Sequence, residues 1–243
     1  MDLCKLFILQ LIAQILADFI FQTDLWTRHK RRYGFRSKIL YWHVLIVFIL
    51  SYGLSFQWNF FLFSLIISLV HFVVDGFKIG IGDFKIRRIK PFKKIIFFID
   101  QFIHIGTLAI SILIFNCLLD INPYVSIRIS NHHLLIILGY LVCLKPANIL
   151  IREIFSIYKL KIINKPKEDL LNAGKLIGNI ERVLTLTLLL IGQYEAIGFI
   201  IAGKSILRYE GEKSSKTEYV LVGTLLSFGI AIIIGIIIFK LHI

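Results

Sequence analysis

Long apolar runs, separated by polar and basic segments, make up most of the chain. They predict helices over residues 3–22, 39–54, 58–79, 94–118, 132–153, 173–193 and 219–239. Several of these runs approach or exceed the roughly 18 residues that cross a bilayer core. The near absence of alternating polar and apolar positions favours helices over a transmembrane barrel.

Two features modify this series of spans. Lys145-Pro146 predicts a kink in the fifth helix. The apolar stretch 196–202 is too short to cross, so the segment 196–208 is predicted to be a re-entrant or returning helix. The predicted fold is an all-α, polytopic transmembrane bundle of six to seven spans plus this short helix. Residues 1–120 form a four-helix domain, and the helices of 121–243 pack on it.

Composition and charge support a membrane protein. Apolar residues make up 57% of the chain, and its mean hydropathy is +0.80. The net charge is +13, and most of the 28 Lys and Arg residues lie in segments 24–38, 78–94 and 152–175. This alternation predicts cytoplasmic basic loops, with affinity for anionic lipid headgroups, and an external N-terminus. Nucleic-acid binding is not expected, because the charges follow the topology.

Two of the predicted helices each carry one acid and one histidine four residues apart. His71 and Asp75 lie on the third helix, whereas Asp100 and His104 lie on the fourth in reversed order. Residues at i and i+4 share one helix face. An antiparallel pair of helices would therefore bring His71 level with His104, and Asp75 level with Asp100.

Other polar residues occur at a similar predicted depth. Asp18 and Gln22 are also spaced i, i+4, near the inner end of the first helix, and His43 lies one turn into the second. An intramembrane carboxylate is costly without a partner, so Asp18 is a functional candidate. The common depth of these side chains favours one site over unrelated core polar residues.

Carboxylates mixed with imidazoles predict a divalent metal site for Zn²⁺, Mn²⁺ or Fe²⁺. The predicted ligands are His43, His71, Asp75, Asp100 and His104. Asp18 is assigned as a general base or third carboxylate, and Gln22 and Gln101 as residues that orient ligands or substrate. Lys145, Lys204 and Arg208 are candidates to neutralise an anionic substrate group.

Three classes of function fit such a cluster. A metal-dependent hydrolase or transferase would act on a membrane-associated substrate from the cytoplasmic side. A transporter or an ion or proton pathway would use the same Asp and His residues. A structural or signalling subunit would need them only for packing. The sequence shows few polar residues in the outer half to complete a pathway, and this favours the enzyme.

The segments ADFIFQTD (17–24), HFVVDGFK (71–78) and DQFIH (100–104), with the isolated His43, resemble domain-of-unknown-function family 3307. The resemblance covers roughly residues 7–120, and KPAN, GQYEAIGF and KSILR resemble later segments of longer members. It implies a prokaryotic integral membrane protein of the inner membrane and supports the choice of residues. It brings no established activity, and the oligomeric state stays open.

Overall fold

The computed structural model of this chain consists of helices joined by short connections. It describes residues 1–83, 92–125, 128–158, 168–209 and 215–241, without the side chains of 31, 79–83, 92–94, 168–173, 207–209 and 215–220. The helices are α1 (Leu3–Ile15), α2 (Asp24–Tyr33), α3 (Lys38–Ser55), α4 (Phe61–Asp83), α5 (Phe92–Leu118), α6 (Asn131–Cys143), α7 (Lys145–Ile157), α8 (Glu168–Leu190), α9 (Tyr194–Tyr209) and α10 (Ser215–Leu241). Every regular element in the described ranges is helical, so the predicted all-α fold is confirmed.

Five described segments are long and apolar enough to cross a membrane: Leu3–Phe21, Lys38–Ser55, Trp58–Lys78, Ile95–Leu118 and Leu221–Leu241. A sixth arises if α6 and α7, bent by 47° at their junction, count as one broken span. The predicted span in α8 is not among them, because Lys175, Glu181 and Arg182 interrupt its apolar sequence. The described part of the chain thus offers five or six candidate spans, where the sequence predicts six or seven.

The first candidate span ends in a turn of π-helix. α1 starts at Asp2, whose side chain accepts a hydrogen bond from the backbone N–H of Lys5 at 2.6 Å. It continues directly into a π-helical segment, Leu16–Phe21, which contains Asp18. Single π turns are rare in proteins and are frequent at functional sites. This turn sets the direction of the Asp18 carboxylate.

The chain divides into two compact units, Met1–Leu138 and Gly139–Ile243. In the first unit, α1, α3, α4 and α5 pack against one another. Their shared apolar cluster consists of Leu6, Ala17, Val47, Phe60, Ile67, Leu108, Ile112 and Phe115. The predicted division between residues 120 and 121 stays a prediction.

The basic segment 24–38, predicted as a loop, contains the helix α2. Thr23 caps this helix by accepting a hydrogen bond from the Trp26 backbone N–H at 3.3 Å. The helix ends at Tyr33, and the next residue, Gly34, has a φ of 56°, which lies in the region that favours glycine. The loop prediction was wrong here, because Lys and Arg are good helix formers as well as markers of topology.

In the second unit, the predicted kink at Lys145-Pro146 is confirmed as a break between α6 and α7. The break falls at Leu144, whose φ of −82° and ψ of −122° are not helical. Pro146 lies in the first turn of α7, where its missing N–H needs no partner. The predicted short helix 196–208 is observed as α9, which has 16 residues.

Candidate functional site

Asp18, His43 and His71 each direct one atom toward a common point inside the first unit. Asp18 Oδ1 lies 3.3 Å from Nε2 of His43 and 3.3 Å from Nε2 of His71. The two Nε2 atoms are 2.9 Å apart, and both imidazoles are buried. The π turn after α1, the helix α3 and the helix α4 thus each supply one corner of a triangle of ligand-type atoms, which we name the Asp18 triangle.

Asp75 lies beside the Asp18 triangle and is bound by a lysine. Asp75 Oδ2 is 3.7 Å from Nε2 of His43 and 3.9 Å from Nε2 of His71. The same oxygen accepts a hydrogen bond from Lys30 Nζ at 2.5 Å. Lys30 comes from α2 and is only 4% exposed. A residue of the basic segment therefore forms part of the site, although no sequence pattern distinguishes it from its basic neighbours.

The predicted pairing of His71 with His104 is confirmed. Their rings stack with centroids 4.0 Å apart and planes 16° from parallel. One turn along α5, Asp100 Oδ2 accepts hydrogen bonds from Lys78 Nζ at 2.6 Å and from Gln101 Nε2 at 3.2 Å. Asp100 Oδ1 lies 3.6 Å from Nε2 of His104. Asp75 and Asp100 thus each have a lysine partner, one from α2 and the other from α4.

Two groups of three side chains could hold a metal ion: Asp18, His43 and His71 in one, and His71, Asp75 and His104 in the other. In each group the ligand atoms all lie within 4.8 Å of one another. His71 belongs to both groups. Asp100, a predicted ligand, is in neither group and is held by Lys78 and Gln101.

The charges of the site leave one carboxylate without a cationic partner among the described side chains. Lys30 neutralises Asp75, and Lys78 neutralises Asp100. Asp18 Oδ2 accepts a hydrogen bond from the neutral amide of Gln14 at 2.6 Å. When the imidazoles of His43 and His71 are neutral, the remaining negative charge of the site lies on Asp18, at the corner of the Asp18 triangle.

Four further predicted residues are not members of these ligand groups. Gln22 is half-buried where the π turn ends. Lys145 and Lys204 lie in the second unit, where Lys204 forms an ion pair with Glu181. Arg208 lies outside the side chains that the structure describes. The assignment of Lys145, Lys204 and Arg208 to substrate binding stays a prediction.

A buried polar layer, which the sequence does not predict, lies further along the same helices. Gln10 Nε2 donates to the Ser51 backbone carbonyl at 2.8 Å, and Ser51 Oγ donates to Gln10 Oε1 at 2.7 Å. Ser51 Oγ also lies 3.2 Å from Ser64 Oγ. Gln10 is eight residues from Asp18, which is about 12 Å of helix. We name Gln10, Ser51 and Ser64 the Gln10 layer.

The second unit contains a fully buried arginine. Arg182 is 1% exposed, and its guanidinium donates to the Cys143 backbone carbonyl at 2.6 Å. It also donates to Ser227 Oγ at 2.9 Å and to the side-chain oxygens of Asn148 and Asn179 at 2.7 Å each. Cys143 is the last residue of α6, so the arginine binds a carbonyl that the helix break leaves unpaired. This network accounts for Arg182 as a structural residue.

Comparison with known proteins gives a family and no activity. No curated protein and no solved structure matches the chain. A family described as "Protein of unknown function (DUF3307)" matches residues 6–135, which is more than half of the chain and includes every residue of the two candidate metal groups. The chain therefore belongs to the DUF3307 family.

Proposed function

We propose that the first unit binds one divalent metal ion at the Asp18 triangle and uses it for metal-assisted hydrolysis or group transfer. The observation that carries this proposal is the spacing of the three ligand atoms. Metal bonds of about 2.0–2.1 Å in tetrahedral geometry place neighbouring ligand atoms about 3.3 Å apart. The three distances of 3.3, 3.3 and 2.9 Å fall near this value.

Hydrogen bonding alone satisfies the Asp18 triangle incompletely. Each Nε2 atom carries at most one hydrogen. If one hydrogen lies between His43 and His71, none points at Asp18 Oδ1, which is buried without a hydrogen bond among the described residues. If both Nε2 atoms are protonated, two N–H groups face each other across 2.9 Å. A cation at the centre would bind all three atoms at once, and Asp18 supplies a charge that attracts it.

The set of one carboxylate and two imidazoles suits Zn²⁺, Mn²⁺ or Fe²⁺. Such an ion lowers the pKa of bound water toward about 7 and polarises a carbonyl or phosphoryl oxygen. Asp18, His43 and His71 would hold the ion. The other basic residues of segment 24–38, whose Lys30 reaches the site, would attract an anionic group of the substrate. We propose a phosphate-bearing or lipid substrate for this reason.

The surroundings of this site are proposed from charge and hydropathy. We place the apolar helices in the inner membrane of a prokaryotic cell, with the N-terminus outside and the segments 24–38, 78–94 and 152–175 in the cytoplasm. The first of these segments lies against the site through Lys30. Anionic headgroups would collect at these segments, and among them at segment 24–38, whose Lys30 contacts Asp75 of the site.

The test is metal retention by purified protein in detergent. Wild type, His71→Gln and the control His133→Gln are loaded with Zn²⁺, Mn²⁺ or Fe²⁺, desalted, and measured by mass spectrometry. His133 is exposed at the start of α6. Wild type and His133→Gln are expected to retain about one ion per chain, and folded His71→Gln much less. Equal retention in all three proteins, or none in wild type, would falsify the metal site.

A second candidate function, an ion or proton pathway, is favoured by the Gln10 layer. Gln10, Ser51 and Ser64 are buried together and hydrogen-bonded across three helices. The topology proposed above would put them in the outer half, where the sequence shows few polar residues. The test is the accessibility of Ser51→Cys to a small water-soluble thiol reagent, with Ile49→Cys on the same helix as control. Labelling at both positions alike, or at neither, would argue for a packing role and against a path.

A further inference from the structure

Lys30 occupies a position from which it can control the metal site. Its side chain is buried, although it starts from a short helix made largely of charged residues. Its ammonium group is 2.5 Å from Asp75 Oδ2. That oxygen is itself 3.7 and 3.9 Å from the two Nε2 atoms of the Asp18 triangle. Lys30 thus holds a potential metal ligand at the edge of the site.

The distances show what Asp75 would need to become a fourth ligand. A tetrahedral site needs ligand atoms about 3.3 Å apart, whereas Asp75 Oδ2 lies 3.7 and 3.9 Å from the two Nε2 atoms and Asp75 is not in one ligand group with Asp18. Asp75 would therefore have to move toward all three ligands to join them. The hydrogen bond from Lys30 opposes this movement. The positive charge of Lys30 also disfavours direct coordination, because the oxygen cannot serve both cations equally well.

The number of protein ligands separates two kinds of metal site. Structural zinc sites are closed by four protein ligands, whereas catalytic sites have three and keep the fourth position for water or substrate. If Asp75 coordinated the ion, it would join Asp18, His43 and His71 and close the site. If Asp75 stays with Lys30, the fourth position is open and Asp75 can accept a hydrogen bond from whatever occupies it.

We infer that Lys30 keeps the fourth coordination position of the metal open by holding Asp75 as a hydrogen-bonded neighbour of the ion. Lys30 is therefore a positioning residue that makes the site suitable for catalysis. This inference rests on the proposed metal site at the Asp18 triangle. It goes beyond that proposal in assigning a role to the α2 segment and in excluding Asp75 from the ligands.

The experiment compares wild type with Lys30→Met, loaded with Zn²⁺ and Co²⁺ in detergent. Lys78→Met is the matched control, because it removes the lysine of Asp100, which is in neither ligand group. Lys30→Met is expected to bind Zn²⁺ about tenfold more tightly in competition with a chelator. The Co²⁺ absorption of wild type should change with pH as bound water ionises at about pH 7, and that of Lys30→Met should not.

A second variant keeps the test valid if Lys30→Met folds poorly. Lys30→Met/Asp75→Asn replaces the ion pair by two neutral side chains and removes the potential ligand. It is expected to keep the pH-dependent Co²⁺ spectrum of wild type and to bind Zn²⁺ less tightly than Lys30→Met. A Co²⁺ spectrum that changes with pH in this double variant but not in wild type would show that Asp75 is a ligand already, and the inference would be wrong.

The remaining outcomes separate this inference from the metal site itself. If wild type binds metal and Lys30→Met binds it equally well with the same pH-dependent spectrum, the role of Lys30 is refuted and the metal site stands. If neither protein binds metal, both proposals fail. If Lys78→Met binds Zn²⁺ more tightly than wild type by the same factor as Lys30→Met, the inference is also refuted, because the loss of any lysine charge near the site would then explain the effect.

Discussion

Replacing Asp75 by alanine is expected to destabilise the first unit strongly, because it leaves the Lys30 ammonium buried without its carboxylate. Lys30 is 4% exposed and Asp75 is 8% exposed, so neither group can regain water without movement of α2. Removal of one partner from a buried ion pair costs about 3–5 kcal/mol. We expect the Asp75→Ala variant to lose a free energy of unfolding in this range.

The structure provides two internal comparisons for this magnitude. The Lys78 side chain is 35% exposed, so its ammonium can return to water, and Asp100→Ala should cost about 1 kcal/mol through the lost ion pair. For the Lys30–Asp75 pair, the double variant Lys30→Met/Asp75→Leu removes both charges. A protein with a neutral pair of similar volume is often as stable as one with the buried ion pair, or more stable. The free energy of unfolding of this double variant should therefore be within about 1 kcal/mol of the wild-type value.

The assay is reversible unfolding of metal-free protein in mixed micelles, followed by far-ultraviolet circular dichroism. A chelator is included so that metal binding does not contribute to the free energy. We expect the largest loss in the free energy of unfolding for Asp75→Ala, a smaller loss for Asp100→Ala, and the smallest for the double variant. If Asp75→Ala and Asp100→Ala cost the same small amount, Lys30 is not confined as the structure places it, and the burial argument is refuted.

Three further substitutions test other contacts. Gly76→Ala places a Cβ 1.9 Å from Cε1 of Phe35. The displaced ring should loosen α2 and make its cleavage by trypsin faster. In a melting experiment, the gain in helix propensity of about 1 kcal/mol should offset part of the lost stability. Arg182→Met leaves the Cys143 carbonyl and other buried acceptors unpaired, and should cost about 3 kcal/mol or more in denaturant unfolding of the second unit. Asp2→Ala removes the N-cap of α1 and should cost about 1 kcal/mol in the same measurement on the first unit, whereas Asp2→Asn should cost only a few tenths.

The sequence predicted the helices and the His71–His104 contact because both follow from local spacing. The apolar runs define the helices through length and composition alone. If consecutive helices are antiparallel, the reversed order of the two i, i+4 pairs predicts that His71 contacts His104. Asp18 and His43 were selected by the same argument from depth, and the structure brings them to His71.

Lys30 could not be selected in this way, because its role depends on where a short helix folds back. In the sequence it is one of several Lys and Arg residues whose common pattern indicates topology. Only the docking of α2 distinguishes it from its neighbours. The one local signal is that α2 has Thr23 as an N-cap and Gly34 at its end, a combination that predicts a helix where a loop was expected.

The Gln10 layer shows why counting polar residues in an apolar sequence underestimates a polar interior. Serine is common in membrane helices, where its hydroxyl often bonds to the backbone of the same helix, as Ser68 does to Leu65. Ser51 and Ser64 therefore carry little information singly. What matters is that they meet Gln10 from separate helices, at one level and without exposure to the surroundings. Polar residues that are few in the sequence, and that there argue against a pathway, thus meet in one buried layer. The choice between an enzyme open to one side and a path through the unit rests on whether water reaches Ser51, and not on composition.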